Sequence, residues 1–178
     1  ATDLAGNTLT AGNFLVTEID GAGPVLLSAR TIDTTHVTAT FSEDLNGATL
    51  NGSGNEFAVT GYAVSAANES APGVVTLTVA VMPTDATPTV TYNFVEGLED
   101  LNGNEAVDGS SAVAVDGVAP TLSAVHIESD NTKDDTMWAI EGDTVTVSFT
   151  ASEQLHTNTA VTIGNEPAVV TDLGGNSW

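Results

Sequence analysis

A pentapeptide of the form DLxGN occurs three times in the chain, at residues 3–7, 100–104 and 172–176. A second motif, DGxxP, follows the first two copies at residues 20–24 and 116–120, so that both motifs recur together with a period near 96 residues, measured from Pro24 to Pro120. A period of this length corresponds to one whole small domain per repeat rather than to one turn of a solenoid. The 178 residues therefore have room for about one complete domain and parts of two others.

The dominant hydrophobic period within each repeat is two residues. Apolar residues alternate with Thr, Ser or His in residues 36–41 and 144–149, and Val- and Thr-rich runs occupy residues 74–81 and 89–95. This alternation is typical of half-buried β-strands, and the Asn-Gly and Asp-Gly pairs between the runs supply turns. We find no convincing amphipathic helix. The sequence therefore predicts an all-β sandwich of short antiparallel strands.

Strands can be assigned along the expected complete domain, with boundaries uncertain by about two to four residues. They are strand A at 24–31, B at 35–42, C, C′ and D within 56–66, E at 73–82, F at 88–95 and G at 110–116. Residues 120–125 align with 24–29 and restart the series, and an insertion at 130–135 then precedes the next strand B.

Residues 41–43 (FSE), residues 142–153 (GDTVTVSFTASE) and the DLxGN loops resemble the immunoglobulin-like repeats of bacterial and archaeal S-layer proteins and large cell-surface adhesins. The resemblance covers essentially the whole chain. It implies tandem immunoglobulin-like antiparallel β-sandwiches that are extracellular, non-catalytic and commonly rigidified by calcium. On this basis residues 1–20 are expected to be the F–G loop and strand G of a preceding domain, 21–116 a complete domain, and 117–178 the N-terminal part of a following one.

The chain is strongly acidic, with 24 Asp and Glu residues against two basic ones and a formal charge of −22. Such a charge repels nucleic-acid phosphates and anionic lipid head groups, and it attracts cations. A hydrophobic fraction of 41% supplies apolar surface for a folded core, which argues against disorder. Cysteine is absent, so disulfide bonds are excluded, and a bound metal is the alternative means of stabilising the fold. Apolar runs stay well below the roughly 20 residues of a membrane span.

The second DLxGN motif carries the oxygen ligands that calcium prefers. Asp100, Asn102 and Asn104 alternate along it, and Gly103 permits a sharp turn. In an immunoglobulin-type sandwich the start of strand A, the B–C loop and the F–G loop gather at one end. That end would hold Asp20, Glu43 and the 100–104 loop, and the crowded carboxylates would repel one another without a cation.

Incomplete sites are expected at the equivalent places of the flanking domains. The following domain offers Asp116 and Glu153, and the preceding one contributes Asp3 and Asn7. Asp172, in the third motif, does not fall in the F–G position. An alternative without metal stays open, because Asp, Asn and Gly are also common turn residues and an Asx turn explains any single loop. Asp85 is expected at the opposite end of the sandwich from Asp100.

The sequence therefore predicts a non-enzymatic, calcium-stabilised structural segment of an S-layer, a filament or an adhesin stalk at the cell surface. The three histidines are scattered, and motifs for nucleophilic, zinc or phosphate chemistry are missing. The expected partners are neighbouring copies or adjacent domains of a longer chain, with residues 1–20 as one pairing strand. The alternatives are a ligand- or glycan-binding adhesin module, for which Tyr62, Tyr92 and Trp138 would have to form an exposed platform, and an accessory region of a secreted hydrolase.

Overall fold

The computed structural model describes residues 4–5, 20–95, 97–132, 138–156 and 160–178. Asp3, Asn7 and nearly all of the expected pairing strand at 1–20 lie outside the described residues. The described part of the chain contains eleven β-strands and no helix. They are β1 Leu26–Asp33, β2 His36–Phe41, β3 Phe57–Val59, β4 Val64–Ala71, β5 Val74–Val79, β6 Thr89–Tyr92, β7 Ser111–Val115, β8 Leu122–Ser129, β9 Val145–Ala151, β10 Thr162–Ile163 and β11 Glu166–Pro167.

The prediction of an all-β fold is confirmed, but the central repeat has seven strands, β1–β7, where eight were expected. Within residues 56–66 the structure has two strands, β3 and the start of β4, in place of the expected C, C′ and D. The largest boundary error concerns β4, which was expected to end by residue 66 and instead continues to Ala71. It continues because it pairs with β5 along its whole length, from Val64 opposite Val79 to Ala71 opposite Val74. Residues 66–71 include Asn, Glu and Ser. Because β4 is an edge strand, apolar and polar residues alternate little along this run.

Strands β1–β7 form one hydrogen-bonded sheet in the order β3-β6-β7-β1-β2-β5-β4. Neighbours are antiparallel except β1 and β7, which pair in parallel through Ala29 with Ala114 and Arg30 with Val115. Two further two-stranded sheets pair β8 with β9 and β10 with β11.

The seven-stranded sheet folds back on itself as a sandwich. Phe41 on β2 lies 6.3 Å, between ring centroids, from both Phe57 on β3 and Tyr92 on β6. Two strands separate β2 from β6 in the hydrogen-bonded order, so this contact requires two facing layers. The layers are β4-β5-β2-β1 and β3-β6-β7, and they enclose one core. Alternate residues of β2, β5 and β6 enter it, as the period-two pattern predicts.

Equivalent hydrogen bonds connect the DGxxP segments to the ends of β2 and β9. The Ser42 N–H donates to the Val25 carbonyl (2.9 Å), and the Ser42 hydroxyl accepts from the Val25 N–H (3.0 Å). Ser152 and Thr121 make the same two bonds at 2.9 and 3.0 Å. Val25 and Thr121 are one 96-residue period apart, so the two copies have the same local backbone arrangement.

Candidate metal centre

Three carboxylates converge at one end of the sandwich. Asp20 precedes β1, Glu43 follows β2, and Asp100 lies between β6 and β7. One carboxylate oxygen of each lies within 4.8 Å of the other two, and among the described residues this is the one group of three potential metal ligands so close together. The structure thus brings together three of the residues that the sequence had placed in one cluster.

Asp100 is held rigidly inside the DLNGN loop. Its side chain is only 1% exposed. Oδ1 accepts hydrogen bonds from the backbone N–H groups of Asn102 (2.7 Å) and Asn104 (2.8 Å), and Oδ2 accepts one from Nδ2 of Asn104 (2.7 Å). The short Asp-x-Asn-x-Asn spacing allows this Asx-type turn, in which the carboxylate replaces a backbone acceptor. The carboxylate is therefore fixed in position before any ligand arrives.

Glu43 reaches Asp100 because the loop after β2 pairs with the loop after β6. Leu45 forms an antiparallel bridge with Asp100, and the Asn46 N–H donates to the Glu99 carbonyl at 2.8 Å. The Glu43 backbone also lies against Gly73, where a Cβ would stand 2.6 Å from the Glu43 carbonyl oxygen. The position of Glu43 therefore depends on pairing between segments that are distant in sequence.

Asp20 is the exposed member of the cluster. Its Oδ1 accepts from the Ala22 N–H at 3.1 Å, and its Oδ2 accepts from Nδ2 of Asn102 at 3.4 Å. The following segment lies directly on the loop, since a Cβ at Gly23 would stand 1.8 Å from the Glu105 carbonyl oxygen. Only a residue without a side chain fits there, so Gly23 permits the approach of Asp20.

The pKa values of Glu43 and Asp100 are shifted in opposite directions. Partial burial, and then the charges of Asp20 and Asp100, raise the pKa of Glu43 above its usual value. Burial alone would raise the pKa of Asp100 as well, but the hydrogen bonds from the Asn104 backbone, the Asn104 side chain and the Asn102 backbone outweigh it and lower that pKa. Asp100 therefore ionises more readily than an ordinary aspartate, and Glu43 keeps its proton to a higher pH than an ordinary glutamate.

Asn102 and Asn104 lie at the cluster as amide donors. Nδ2 of Asn104 donates to Oδ2 of Asp100 and to the Asp20 carbonyl (3.3 Å), and Nδ2 of Asn102 donates to Asp20. Each amide would have to turn over to offer its oxygen to a cation. The carboxylates themselves fit a hard divalent cation, because calcium is bound by six to eight oxygens, of which carboxylates supply the charge and water completes the set.

The expected second pair, Asp116 and Glu153, is also brought together. Their carboxyl groups are within hydrogen-bonding reach of each other, and burial followed by the charges of Asp116 and Asp85 raises the pKa of Glu153. Glu153 is 6% exposed. Asp85 was predicted to lie at the opposite end of the sandwich from Asp100. Nothing in the sequence indicated that its charge would act on Glu153.

The third DLxGN copy does not lie at the same position in its repeat as the second copy, which lies between β6 and β7. The Ala151 N–H donates to the Asn176 carbonyl at 2.9 Å, as the Phe41 N–H donates to the Gly73 carbonyl at 2.8 Å in the central repeat. Residues 172–176 thus correspond to the turn between β4 and β5. The Asp172 carboxylate accepts hydrogen bonds from the Gly174 N–H (2.8 Å) and from Nε2 of Gln154 (3.1 Å).

The aromatic side chains considered as a carbohydrate platform do not share a surface. Tyr92 is completely buried in the core, Tyr62 packs partly against that core, and Trp138 is 70% exposed. The Tyr92 hydroxyl accepts from the Leu98 N–H at 3.1 Å. His36 contacts Asp33 at 2.8 Å, and His126 lies 3.6 Å from Glu128, both at the surface. The described residues contain no helix long and apolar enough to cross a membrane.

The described residues thus form an all-β sandwich protein with carboxylate clusters on its loops. No protein-family model and no curated protein sequence matches the chain. Among solved structures it is similar to the N-terminal part of the bacterial S-layer protein SbsC, at 18% sequence identity and a TM-score of 0.45. That similarity covers 85% of this chain and 45% of the other, so the chain spans less than half of that structure. A likeness this distant carries no argument about function.

Proposed function

We propose that this chain is a calcium-stabilised structural segment of an extracellular surface assembly, such as an S-layer, a filament or an adhesin stalk. The observation that carries the proposal is the convergence of Asp20, Glu43 and Asp100 within 4.8 Å. Carboxylates this close repel one another unless protons or a cation neutralise them. Ligands made only of oxygen favour hard cations such as calcium.

The strand order supports an immunoglobulin-like sandwich. The layers β4-β5-β2-β1 and β3-β6-β7 correspond to the D-E-B-A and C-F-G layers of an immunoglobulin constant-type domain. The equivalent hydrogen bonds at Ser42 and Ser152 support the tandem arrangement. In this arrangement the site lies where one domain meets the segment that precedes it.

The proposed role of the cation is mechanical. Asp20 stands at the start of the segment that leads into β1, whereas Glu43 and Asp100 belong to loops of the sandwich. A cation held by all three carboxylates fixes this segment to the end of the sandwich. An array joined in this way is a semi-rigid rod instead of domains on flexible linkers.

Calcium titration of the 178-residue chain, followed by calorimetry and by thermal unfolding, tests the proposal. At 100 times its dissociation constant, bound calcium stabilises a protein by about 2.7 kcal/mol. We expect Asp100→Asn to abolish calcium binding at this cluster. Glu105→Gln is the matched control, because Glu105 is an exposed acid of the same loop and loses the same charge. Equal calcium binding by the two variants would contradict the proposal.

A further inference from the structure

The backbone N–H groups at the start of the DLNGN loop are held by side-chain hydroxyl groups. The Leu98 N–H donates to the Tyr92 hydroxyl at 3.1 Å, and the Glu99 N–H donates to the Thr49 hydroxyl at 3.0 Å. Tyr92 ends β6, which leads directly into this loop. Thr49 lies in the loop after β2, 50 residues before Glu99. Thr49 therefore connects two loops that are distant in sequence.

The Thr49 hydroxyl also replaces a missing backbone hydrogen bond between the two loops. Asn46 and Glu99 are the next pair along from the antiparallel bridge between Leu45 and Asp100. The Asn46 N–H donates to the Glu99 carbonyl at 2.8 Å. In a regular antiparallel pair the Glu99 N–H would donate back to the Asn46 carbonyl. Here that carbonyl accepts from the N–H and from the hydroxyl of Thr49, both at 2.8 Å. The hydroxyl therefore relays the second bond of the pair.

These bonds fix the two carboxylate-bearing loops relative to each other. Glu99 directly precedes Asp100 in the chain. Asn46 follows Glu43 by three residues. Thr49 is half-buried, and a donor that loses its acceptor at such a position is costly. Without the hydroxyl, the Glu99 N–H would have to turn toward water. That movement would carry Asp100 away from Glu43.

We propose that Thr49 is a positioning residue for the cation site of the proposed function. Its hydroxyl couples the loop that carries Glu43 to the loop that carries Asp100, so that both carboxylates are in place before a cation binds. A site arranged in advance binds more tightly, because less free energy is spent on ordering the loops. The effect on cation affinity rests on the proposed function, whereas the coupling of the loops is a property of the cation-free chain.

Calorimetric titration of the 178-residue chain with calcium tests the effect on affinity. Thr49→Val keeps the size of the side chain and removes the hydroxyl, and we expect it to weaken calcium binding by about fivefold or more. Thr49→Ser keeps the hydroxyl and should bind within about twofold of wild type. Thr38→Val is the matched control, because the Thr38 hydroxyl donates to the Arg30 carbonyl within the sheet. If Thr49→Val does not fold, Thr49→Ala replaces it.

Amide hydrogen exchange in calcium-free protein tests the coupling itself. The N–H groups of Asn102 and Asn104 donate to Oδ1 of Asp100, so their exchange reports whether that carboxylate stays in place. Thr49→Val should speed exchange at Glu99 and at both asparagines. Thr49→Ser and the control variant should leave all three rates unchanged.

The two measurements separate the coupling from the proposed function. Faster exchange at Glu99 alone, or no change in exchange, would overturn the coupling and leave Thr49 a local structural residue. Calcium affinity that is unchanged in Thr49→Val, or lost equally in Thr49→Ser, would overturn the role of the hydroxyl at the site. If wild type binds no calcium, the proposed function fails, and the exchange of Asn102 and Asn104 alone decides whether the loops are coupled.

Discussion

Neighbouring carboxylates behave differently here because the groups around them differ. Asp100 receives N–H groups from its own loop and is kept ionised, whereas Glu43 meets mainly other carboxylates and retains its proton to higher pH. Glu153 resembles Glu43 in this respect. The local hydrogen bonds, and not the density of acidic residues, decide which side chain carries the charge.

Calcium should stabilise the protein strongly at neutral pH and little in the acidic range. In calcium-free protein the raised pKa values of Glu43 and Glu153 mean that the folded state binds more protons, so stability falls as pH rises from 4.5 through those values. Asp100 contributes in the opposite sense, with stability present above 3.8 and lost as pH falls through its lowered pKa. If calcium binds as proposed, it should reverse the trend of Glu43, because a calcium ligand must be ionised.

Thermal unfolding with calcium and with a chelator, at constant ionic strength across this pH range, measures the difference. The calcium-induced increase in melting temperature should shrink on acidification. Glu43→Gln should remove the part of the pH dependence of stability that comes from the cluster of Asp20, Glu43 and Asp100. A calcium-induced increase that is the same at neutral pH and near pH 4.5 would be inconsistent with carboxylate ligands.

Replacing Gly23 should lower the stability of the fold and move the carboxylates of Asp20, Glu43 and Asp100 apart. A Cβ at this position overlaps the Glu105 carbonyl at 1.8 Å, so Gly23→Ala must move one backbone segment away from the other. We expect a loss of about 1–3 kcal/mol in the free energy of unfolding and weaker calcium binding, because Asp20 moves with the segment. Gly21→Ala is the matched control, since a Cβ there meets nothing within 4 Å. Chemical denaturation of both variants should separate them, and equal losses would contradict the close packing.

Among the elements, β2 connects the core to the site. Its Val37, Ala39 and Phe41 are buried, and the strand ends two residues before Glu43. The Phe41 ring makes edge-to-face contacts with Phe57 and Tyr92 across the sandwich. The Phe41 ring therefore contributes to the packing between the two layers next to the loop that carries Glu43.

Truncation of Phe41 should be one of the most destabilising single changes in the central repeat. Phe41→Ala removes a buried ring from three-way aromatic packing and should cost about 3–5 kcal/mol. Phe94→Ala is the control, because Phe94 is 47% exposed and its loss should cost much less. Urea unfolding of both variants provides the comparison. A similar cost for the two would mean that the aromatic contacts contribute little to the sandwich.

At the scale of the whole molecule, the charge of −22 opposes compactness. Histidine–carboxylate contacts occur between His36 and Asp33 and between His126 and Glu128. The sequence has only two Lys and Arg residues against 24 Asp and Glu residues, so little of this charge can be neutralised internally. Repulsion between the remaining carboxylates lowers the stability of the folded state. Screening by monovalent salt should therefore matter more than in a protein of balanced charge.

Sodium chloride should raise the melting temperature of the calcium-free chain. At about 0.5 M salt the Debye length is about 4 Å, and most repulsion between surface carboxylates is screened. The increase should be smaller in saturating calcium, because a cation bound by Asp20, Glu43 and Asp100 would already neutralise part of the charge. Thermal unfolding at low and high salt, with and without calcium, tests this. A melting temperature that is independent of salt in calcium-free protein would contradict the role assigned to charge repulsion.

Features that depend on short-range periodicity could be predicted from the order of residues alone. The alternation in β2, β5 and β6 identified which residues enter the core, because the pleat of a strand sends successive side chains to opposite faces. The motif spacing related Val25 to Thr121, and their hydrogen bonds to Ser42 and Ser152 are the same. A general rule for immunoglobulin-type sandwiches was enough to place Asp20, Glu43 and Asp100 at one end.

Features that depend on contacts between distant segments could be seen only in the folded chain. The parallel pairing of β1 with β7, the full extent of the edge strand β4 and the effect of the Asp85 charge on the pKa of Glu153 leave no local signal. Asp85 lies in an ordinary turn, and its neighbours are set by the packing of the seven-stranded sheet against β9 through Thr84 and Ser152. The hydrophobic period shows which face of a strand a residue occupies. The residues that it contacts depend on how distant segments of the chain pack together.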